Sequence, residues 1–488
     1  MSDNDVPVYQ NYIAGEWVDA ASAGQFDIFD PATGEVIHRA QNSGVADMQQ
    51  AIGAANEAFE STAWREDTEL RTKALFKLAD ALRGANSTLT QILIKEAGKI
   101  FPVARGEAFM TATTTEHYAG LARWIFGRSA VPTPDSLSIL LREPVGVVGV
   151  IVPWNMPLAL MIRSVAPALA AGCAVVIKPA EYTTGTTAEF MKVVDSIEEI
   201  PKGIVNMVAG DGPVVGAELA RSAKVDMVAF TGGTETGKEI MRSAANNLKK
   251  VSLELGGKSP NIIFRDADFD RALKGALNGA AFWNAGQVCT AGSRVLVESA
   301  IHDPFIEHVR EAVPKMRVGP GGERGVACGP IISQSQLQRV MEYIEAGKQE
   351  ADLVVGGERL TDGDLAKGYF VAPTVFDRVP PDARIAQEEI FGPVLSVMEF
   401  DDVEQAAQIA NNTDYGLVAA VWTNDISKAM QLAKKVRAGT IWINTYGKLF
   451  QTIEFGGFKQ SGLGRVYGME GLLEFTELKH IHIQLAEN

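Results

Sequence analysis

The stretch Val145-Gly146-Val147-Val148-Gly149-Val150-Ile151-Val152 decides the fold, because it opens a regular alternation of apolar runs and helix-like segments. Further strand-like runs follow at 174–177, 204–208, 225–230 and 261–264. The helix-like segments between the runs are 157–171, 184–196, 213–222 and 235–247. Repeated strand–helix units predict an α/β fold built on a doubly wound parallel sheet. In such a sheet, ligands bind beyond the carboxyl ends of the strands.

Outward from this unit, a second strand–helix series runs from about residue 267 to residue 443. Upstream, residues 45–126 carry small and apolar residues at helical spacing, which predicts packed helices. Residues 136–142 alternate weakly and are rich in Leu and Ile, so we expect an exposed or bridging strand. Because 488 residues exceed what one core usually holds, two or three domains are expected.

The composition is that of a globular protein, with 46% apolar and 22% charged residues. The formal charge of −15 and the lack of a Lys/Arg block argue against a nucleic-acid partner. The longest apolar stretch is short and is broken by Gly146 and Gly149, so no membrane span is predicted.

Three cysteines occur, Cys173, Cys289 and Cys328, without a CxxC pair or a Cys/His cluster. Neither a disulfide framework nor a metal site is therefore predicted, and a reducing compartment is expected. The segment 1–7 is acidic and polar, unlike a signal or transit peptide. These features together favour a cytoplasmic enzyme.

The first strand of the series ends in Pro153-Trp154-Asn155, where a parallel sheet presents its site. The Asn155 amide can donate a hydrogen bond to an oxygen that gains negative charge, which is the role of an oxyanion hole. The alternative is that Asn155 only caps the helix that begins near Pro157. The motif alone leaves both interpretations open.

The next strand end reads Ile177-Lys178-Pro179-Ala180-Glu181. A carboxylate at this place can accept two hydrogen bonds from a ribose diol, and it repels a 2′-phosphate, so it favours NAD over NADP. A solvated surface pair of Lys178 and Glu181 is the alternative. Only further signs of a nucleotide site can decide between the two.

Residues 230–237, Phe-Thr-Gly-Gly-Thr-Glu-Thr-Gly, follow a strand and open a helix. Glycines and hydroxyls at a helix N-terminus can hold a pyrophosphate through backbone N–H groups and the helix dipole. The GxGxxG fingerprint of dinucleotide-binding folds is absent from the chain, and the nearest pattern, 210–216, is interpreted as a turn.

Cys289 lies among small residues in Asn284-Ala285-Gly286-Gln287-Val288-Cys289-Thr290, so its thiol is approachable. Thirty-five residues upstream, Glu254 precedes Leu255-Gly256-Gly257-Lys258. A thiol and a carboxylate supply the nucleophile and the base that covalent chemistry on a carbonyl carbon requires. Taken alone, a buried structural cysteine near an unrelated glutamate would be the simpler interpretation.

These motifs in this order resemble the NAD(P)-dependent aldehyde dehydrogenase superfamily, from the turn at 30–34 to residues 474–479. The motifs that carry the resemblance are Pro153-Trp154-Asn155, Lys178-Pro179-Ala180-Glu181, Phe230-Thr231-Gly232-Gly233-Thr234, Glu254-Leu255-Gly256-Gly257-Lys258, Gly286-Gln287-Val288-Cys289 and Glu388-Glu389-Ile390-Phe391-Gly392-Pro393. The resemblance implies oxidation of an aldehyde to a carboxylic acid through a thiohemiacetal and a thioester.

The resemblance also implies residue roles. Cys289 is the nucleophile, Glu254 is the general base, and Asn155 forms an oxyanion hole with the backbone N–H of Cys289. NAD is the implied cofactor, with NADP a weaker alternative. The implied cofactor residues are Trp154, Lys178, Glu181, Gly232, Gly233, Glu389 and Phe391. The implied substrate-tunnel residues are Met156, Leu160, Arg163, Trp283, Val288, Thr290, Leu449 and Phe455.

The architecture implied has two doubly wound parallel-sheet domains and a small bridging β element. Residues 1–124 and 145–256 form the NAD-binding domain, and residues 257–460 form the catalytic domain. Residues 125–144 and 461–488 form the bridge, through which a homodimer or homotetramer assembles. Two positions depart from the family pattern: Glu454 replaces the usual Pro before Phe-Gly-Gly, and Val466 replaces the usual acid after Gly-x-Gly-Arg.

Four alternatives remain open at this stage. Arg163 could bind the distal carboxylate of a semialdehyde, or it could pair with an acid in packing. A CoA-acylating enzyme would typically lack the base, so Glu254 argues against it. A non-catalytic NAD-binding protein is disfavoured by the presence of Cys289, Glu254 and Asn155, and a thioesterase-like hydrolase would act without cofactor.

Overall fold

A computed structural model describes residues 6–22, 24–277 and 282–485. Its strands are β1 (Val8–Tyr9), β2 (Asn11–Ile13), β3 (Glu16–Val18), β4 (Gln25–Phe29), β5 (Val36–Gln41), β6 (Arg128–Ala130), β7 (Ser136–Pro144), β8 (Val147–Ile151), β9 (Ala174–Lys178), β10 (Val205–Met207), β11 (Met227–Thr231), β12 (Lys250–Glu254), β13 (Pro260–Ile263), β14 (Arg294–Glu298), β15 (Asp352–Val355), β16 (Thr374–Asp377), β17 (Val394–Phe400), β18 (Tyr415–Gly416), β19 (Val418–Trp422), β20 (Thr440–Ile443), β21 (Phe458–Lys459), β22 (Gly462–Leu463) and β23 (Thr476–Gln484).

Helices alternate with the strands through most of the chain. They are α1 (Val45–Ser61), α2 (Thr68–Gly84), α3 (Asn86–Ala97), α4 (Phe101–Leu121), α5 (Pro157–Ala171), α6 (Thr184–Asp195), α7 (Ala217–Arg221), α8 (Thr234–Ala244), α9 (Phe269–Ala276), α10 (His302–Ala312), α11 (Gln334–Glu350), α12 (Arg384–Gln387), α13 (Val403–Asn411), α14 (Ile426–Lys435) and α15 (Gly468–Leu473).

The first large sheet has the strand order β22-β12-β11-β8-β9-β10-β2-β3. Its five central strands, from β12 to β10, are parallel, and the antiparallel strands β22, β2 and β3 lie at the edges. The central strands are buried on both faces, which explains their continuous apolar runs. The predicted doubly wound α/β sheet is confirmed.

Local boundaries follow the sequence signals closely in this region. Helix α5 has the predicted bounds, with Pro157 at its start and Gly172 in a left-handed conformation (φ 101°) at its end. This arrangement matches the preference for Pro at the first helical position and for Gly just past the last. The single helix predicted at 213–222 is instead a wide helical turn, Gly212–Gly216, followed by α7. Pro213 has no N–H to donate and stands in that first turn.

A second large sheet contains strands β13–β17, β19 and β20 in the order β15-β16-β17-β14-β13-β19-β20. All neighbouring pairs in it are parallel except β15 with β16. Helices α10, α11 and α14 pack against it, so this sheet is also covered by helices. The second α/β unit expected from residues 267–443 is therefore present.

A third sheet consists of β6, β7 and β23, all antiparallel. Strand β7 contains the bridging strand predicted at 136–142 and extends two residues further. Of the segment 461–488, which we predicted to be bridging, the described residues 461–485 contribute strands to two different sheets. The strand β22 at the start of this segment pairs with β12 of the first large sheet. In this pair, Leu253 faces Leu463 and Glu254 faces Gly462.

The carboxyl ends of neighbouring strands in the first sheet bring several motifs together. Strand β8 leads into Asn155, β9 ends at Lys178, β11 ends at Thr231, and β12 ends at Glu254. Thr231 and Glu254 are direct cross-strand partners. Among the described residues, no helix is both long enough and apolar enough to cross a lipid bilayer.

Candidate active site

A cavity of about 660 Å³ opens at these strand ends and extends to helix α11 and to the segment that precedes β17. The residues predicted for catalysis or cofactor binding that line it are Trp154, Asn155, Gly232, Gly233, Glu254, Cys289, Glu389 and Phe391, together with the predicted tunnel residue Leu160. Motifs that are far apart in sequence therefore share one cavity.

Cys289 lies on the cavity wall, half-buried, at the end of a tight turn. Asn284 and Ala285 have left-handed backbones (φ 52° and 53°), and Gly286 follows at φ 70°. Residues other than glycine cost energy in the left-handed region, and such strain concentrates at functional sites. Burial raises the pKa of the Cys289 thiol to about 12, whereas the positive charge of Arg163 lowers it. The thiol must therefore lose its proton before it can attack as a thiolate.

Asn155 faces the turn that carries the thiol. Its buried side-chain amide donates to the backbone oxygen of Gln287 at 2.9 Å, and its own backbone oxygen accepts from Asn284. The cap position of helix α5 is occupied by Met156, with no side-chain cap. The alternative that Asn155 merely caps this helix is therefore wrong. Its amide lies beside the segment that leads to Cys289, where an oxyanion would form.

Glu254 ends β12 with its side chain almost fully buried. Burial raises the pKa of its carboxyl to about 7, and the positive charges of Arg163 and Arg465 oppose that rise. One oxygen, Oε1, has no hydrogen-bond partner among the residues that the structure describes. A buried carboxylate that lines the cavity and whose pKa is raised toward neutrality suits a general base.

The start of helix α8 provides a cradle for an anionic group. Gly233 is the cap residue, no side chain caps the helix, and a Cβ added at Gly233 would meet nothing within 4 Å. The first N–H groups of the helix have no intrahelical acceptor, so a pyrophosphate can receive them. The space around Gly232 is smaller, since a Cβ added there would meet the Phe230 ring at 2.4 Å. This part of the cavity fits a dinucleotide.

Glu389 and Phe391 form the opposite wall of the same cavity. Glu389 accepts the N–H of Gly257 at 2.9 Å, and burial raises the pKa of its carboxyl to about 7. Phe391 has a left-handed backbone (φ 60°) and packs edge-to-face on Trp154, with ring centroids 5.3 Å apart. These groups can hold a ribose and a flat ring between them.

Lys178 and Glu181 lie at the end of β9, outside the lining of the main cavity. Lys178 Nζ is 2.6 Å from Glu181 Oε1, which also accepts the N–H of Gly212 at 2.9 Å. The second carboxylate oxygen is left for another donor, and the side chain of Glu181 is about one-third exposed at 35%. The pair is thus suited to a diol at the far end of an extended ligand.

Most predicted tunnel residues do not line the cavity. The thioether of Met156 lies 2.9 Å from Lys99 Nζ, and Phe455 is buried in a bridge with Val466. The backbone oxygen of Thr290 accepts the Tyr446 hydroxyl. Trp283, Val288 and Leu449, together with Arg163, are also absent from the lining.

Arg163 lies on helix α5 and is 3% exposed. Its guanidinium donates to Thr231 Oγ1 at 3.0 Å, and its Nη2 lies 3.8 Å from Glu254 Oε2. The structure therefore shows the packing alternative, in which Arg163 pairs with an acid. Sequence reasoning also did not single out the cavity-lining residues Gln336, Arg339 and Tyr415, because they belong to segments without a recognisable motif.

A thiol, a buried carboxylate with a free oxygen and a carboxamide, gathered beside a dinucleotide-sized cleft in an α/β fold, define a cofactor-dependent oxidoreductase of covalent mechanism. Comparison with known proteins identifies the class further. Residues 17–481 match the model of the aldehyde dehydrogenase family, and the chain belongs to that family. The predicted resemblance is confirmed.

Similar proteins include betaine aldehyde dehydrogenase of Bacillus subtilis, which is 43% identical over 474 residues and 96% of each chain. Aldehyde dehydrogenase 1A1 of Gallus gallus is 42% identical over 492 aligned residues, covering 100% of this chain and 96% of the relative. Among solved structures, betaine aldehyde dehydrogenase of Staphylococcus aureus in complex with NAD+ has a TM-score of 0.96 and 41% identity, with 98% and 95% of the two chains covered.

Proposed function

We propose that the protein oxidises an aldehyde to the carboxylic acid with NAD as cofactor. The observation that carries this proposal is the meeting of Cys289, Glu254 and Asn155 in one cavity whose other end fits a dinucleotide. The complex of a 41% identical relative with NAD+ supports the choice of cofactor.

The first half-reaction begins at Cys289. Its thiol loses a proton to water in the cavity, and Sγ then forms a bond to the aldehyde carbon. The carbonyl oxygen gains the negative charge, and the Asn155 amide and the Cys289 N–H donate to it. A donor fixed in place before the charge develops lowers the barrier by about 3–4 kcal/mol.

Oxidation of this adduct requires a hydride acceptor, which bound NAD supplies. We assign Gly232, Gly233 and the start of α8 to the pyrophosphate, and Glu389 with Phe391 to the nicotinamide end. Lys178 and Glu181 hold the ribose at the adenine end, and Trp154 supports Phe391 by the ring contact described above.

Glu254 acts in the second half-reaction. Its carboxylate takes a proton from water, the hydroxide adds to the thioester carbon, and the C–S bond breaks to return the Cys289 thiolate. Because this step needs the ionised carboxylate, turnover should rise as the pH increases through about 7, where Glu254 titrates. Water rather than CoA is therefore the proposed acyl acceptor.

The test is NADH formation, followed by absorbance, over a panel of aldehydes with NAD and NADP compared for each. Rapid reduction of NAD, with the carboxylic acid as product and no change on adding CoA, supports the proposal. Ester hydrolysis without cofactor would instead indicate a hydrolase. NAD binding without turnover of any aldehyde would indicate a non-catalytic protein.

We further propose the domain division given above, with residues 1–124 and 145–256 for NAD binding and 257–460 for catalysis. The third sheet is the proposed bridge of a homodimer or homotetramer. It exposes apolar side chains on its strands, including Leu141, Leu478 and Ile481, which are 39%, 52% and 39% exposed. A cytoplasmic location is also proposed, and sedimentation together with cell fractionation tests both points.

A further inference from the structure

Arg163 connects two strand ends at the floor of the active site. It projects from helix α5, donates to Thr231 Oγ1 at 3.0 Å, and places Nη2 3.8 Å from Glu254 Oε2. Thr231 and Glu254 are cross-strand partners on β11 and β12. The hydroxyl therefore fixes the guanidinium directly in front of the neighbouring carboxylate.

The environment of Glu254 makes this contact important, because ionising a buried carboxyl is costly without a nearby positive charge. Two cations face Glu254: Arg163 from α5, and Arg465 from the segment after β22. Arg465 is engaged with the backbone oxygens of Gly457 and Gly464. The titratable hydroxyl of Tyr467 and the thiol of Cys289 also face Glu254. Each of them, if ionised, would repel the negative charge of the Glu254 carboxylate. Within the described residues, Arg163 alone forms an ion pair with Glu254.

We propose that Arg163 is a positioning residue for Glu254, which it keeps ionised and oriented for the attack of water on the thioester; this inference rests on the proposed function. A separation of 3.8 Å is too long for a hydrogen bond. The pair thus attracts by charge without using a lone pair of the carboxylate. Oε1 is buried without a hydrogen-bond partner among the described residues, so nearby positive charge, rather than hydrogen bonding at this oxygen, must offset the cost of ionising the carboxyl.

The alternative role of Arg163, binding a distal carboxylate of the substrate, makes a different prediction. It would require the guanidinium to face the substrate, whereas Nη2 faces Thr231 and Glu254. Arg163 Nε is buried and has no hydrogen-bond partner among the described residues. This one donor of the guanidinium is therefore not used by the contacts with Thr231 and Glu254. The two roles differ in what they change: substrate affinity in one case, and the titration of Glu254 in the other.

The experiment compares Arg163→Met, Arg163→Lys and a matched control, Arg71→Met. Arg71 is a buried arginine of the same domain that donates to the backbone oxygens of Trp64 and Ala170. The pH dependence of kcat and the initial NADH burst are recorded for each variant. A second readout needs no turnover: infrared difference titration of the carboxyl, with Glu254→Gln as the subtraction reference.

For Arg163→Met, we expect both pH midpoints to move up by about 1–2 units, since an opposite charge at this distance shifts a carboxyl by that much. At pH 7 kcat should fall about 5- to 50-fold, with recovery at higher pH and a burst amplitude still near one NADH per site. Arg163→Lys should keep most of the activity. Arg71→Met should lower thermal stability and leave both midpoints in place.

A double variant tests whether Arg163 affects deacylation through Glu254. If Arg163 acts through Glu254, adding Arg163→Met to Glu254→Gln should lower deacylation by less than about twofold. Unchanged midpoints in Arg163→Met, or a full additional loss in the double variant, would overturn the proposal. So would a rise in KM confined to succinic semialdehyde relative to an uncharged aldehyde of equal length. Wild-type protein that forms no NADH would refute the oxidation, while the infrared midpoint would still decide the role of Arg163.

Discussion

Replacing Glu107 by Gln should weaken both the fold and catalysis. Glu107 forms a fully buried ion pair with Lys99, and its Oε1 accepts the N–H groups of Leu158 and Ala159 at 2.9 and 3.1 Å. These are the first amides of helix α5, which starts two residues after Asn155. The carboxylate therefore compensates a buried ammonium and anchors the helix that follows the oxyanion donor.

The expected losses of stability and of kcat can be estimated from these contacts. In the Glu107→Gln variant, the new side chain would keep an oxygen for the two amides but would leave Lys99 without its counter-charge. Removing one partner of a buried pair costs about 3–5 kcal/mol, because the remaining ion stays desolvated. A small displacement of Asn155 would add a loss of up to about 100-fold in kcat. Combining Glu107→Gln with Lys99→Met removes both charges, so most of the stability should return.

Thermal unfolding followed by near-ultraviolet circular dichroism measures the change, with kcat measured on the same samples. The matched control is Glu345→Gln, which breaks an exposed pair with Lys348 and should cost less than about 1 kcal/mol. Two results would refute the reasoning: a Glu107→Gln variant as stable as the control, or a double variant no more stable than the single one.

Three further predictions concern the site itself. Cys289→Ser should lower aldehyde oxidation by several orders of magnitude while calorimetry still shows NAD binding, because a hydroxyl is a far weaker nucleophile at neutral pH; a tenth of the wild-type rate would contradict the assignment. Glu254→Gln should release about one NADH per site and then stall, and a slow progress curve without a burst would place Glu254 in acylation or structure instead. Glu181→Gln should raise the NADP-to-NAD ratio of kcat/KM about tenfold, since a partly solvated charge contributes only about 1–2 kcal/mol; an unchanged ratio would place the ribose contact elsewhere.

Features with local causes were predictable from the sequence. Helix α5 carries its own start and stop signals, Pro157 and Gly172, and its bounds agree with the prediction. The apolar runs of the central strands reflect burial on both faces, which any parallel sheet covered by helices requires. The strand-end motifs likewise placed Asn155 and the glycines after Thr231 on one edge, whereas strand β12, which ends at Glu254, was not predicted.

Features that depend on distant partners were not predictable in this way. Nothing near Arg163 in sequence indicates that its guanidinium contacts Thr231 and Glu254, because those contacts arise only when α5 packs across two strands. The left-handed turn at Asn284 and Ala285 has no glycine signal at those two positions. The tunnel residues were assigned by resemblance alone, and their position relative to the cavity depends on packing by chain segments far away in sequence.

The pairing of β22 with β12 has a consequence for the synthesis of the protein. Glu254 is translated long before Gly462, its partner across the two strands. At about 5–20 residues per second, the gap of roughly 200 residues takes about 10–40 s to translate. During that interval the nascent chain already contains Cys289, but the strand that carries the base lacks its outer neighbour. Unfinished chains should therefore lack full catalytic activity. Glu254 reaches its final environment beside Cys289 only near the end of translation.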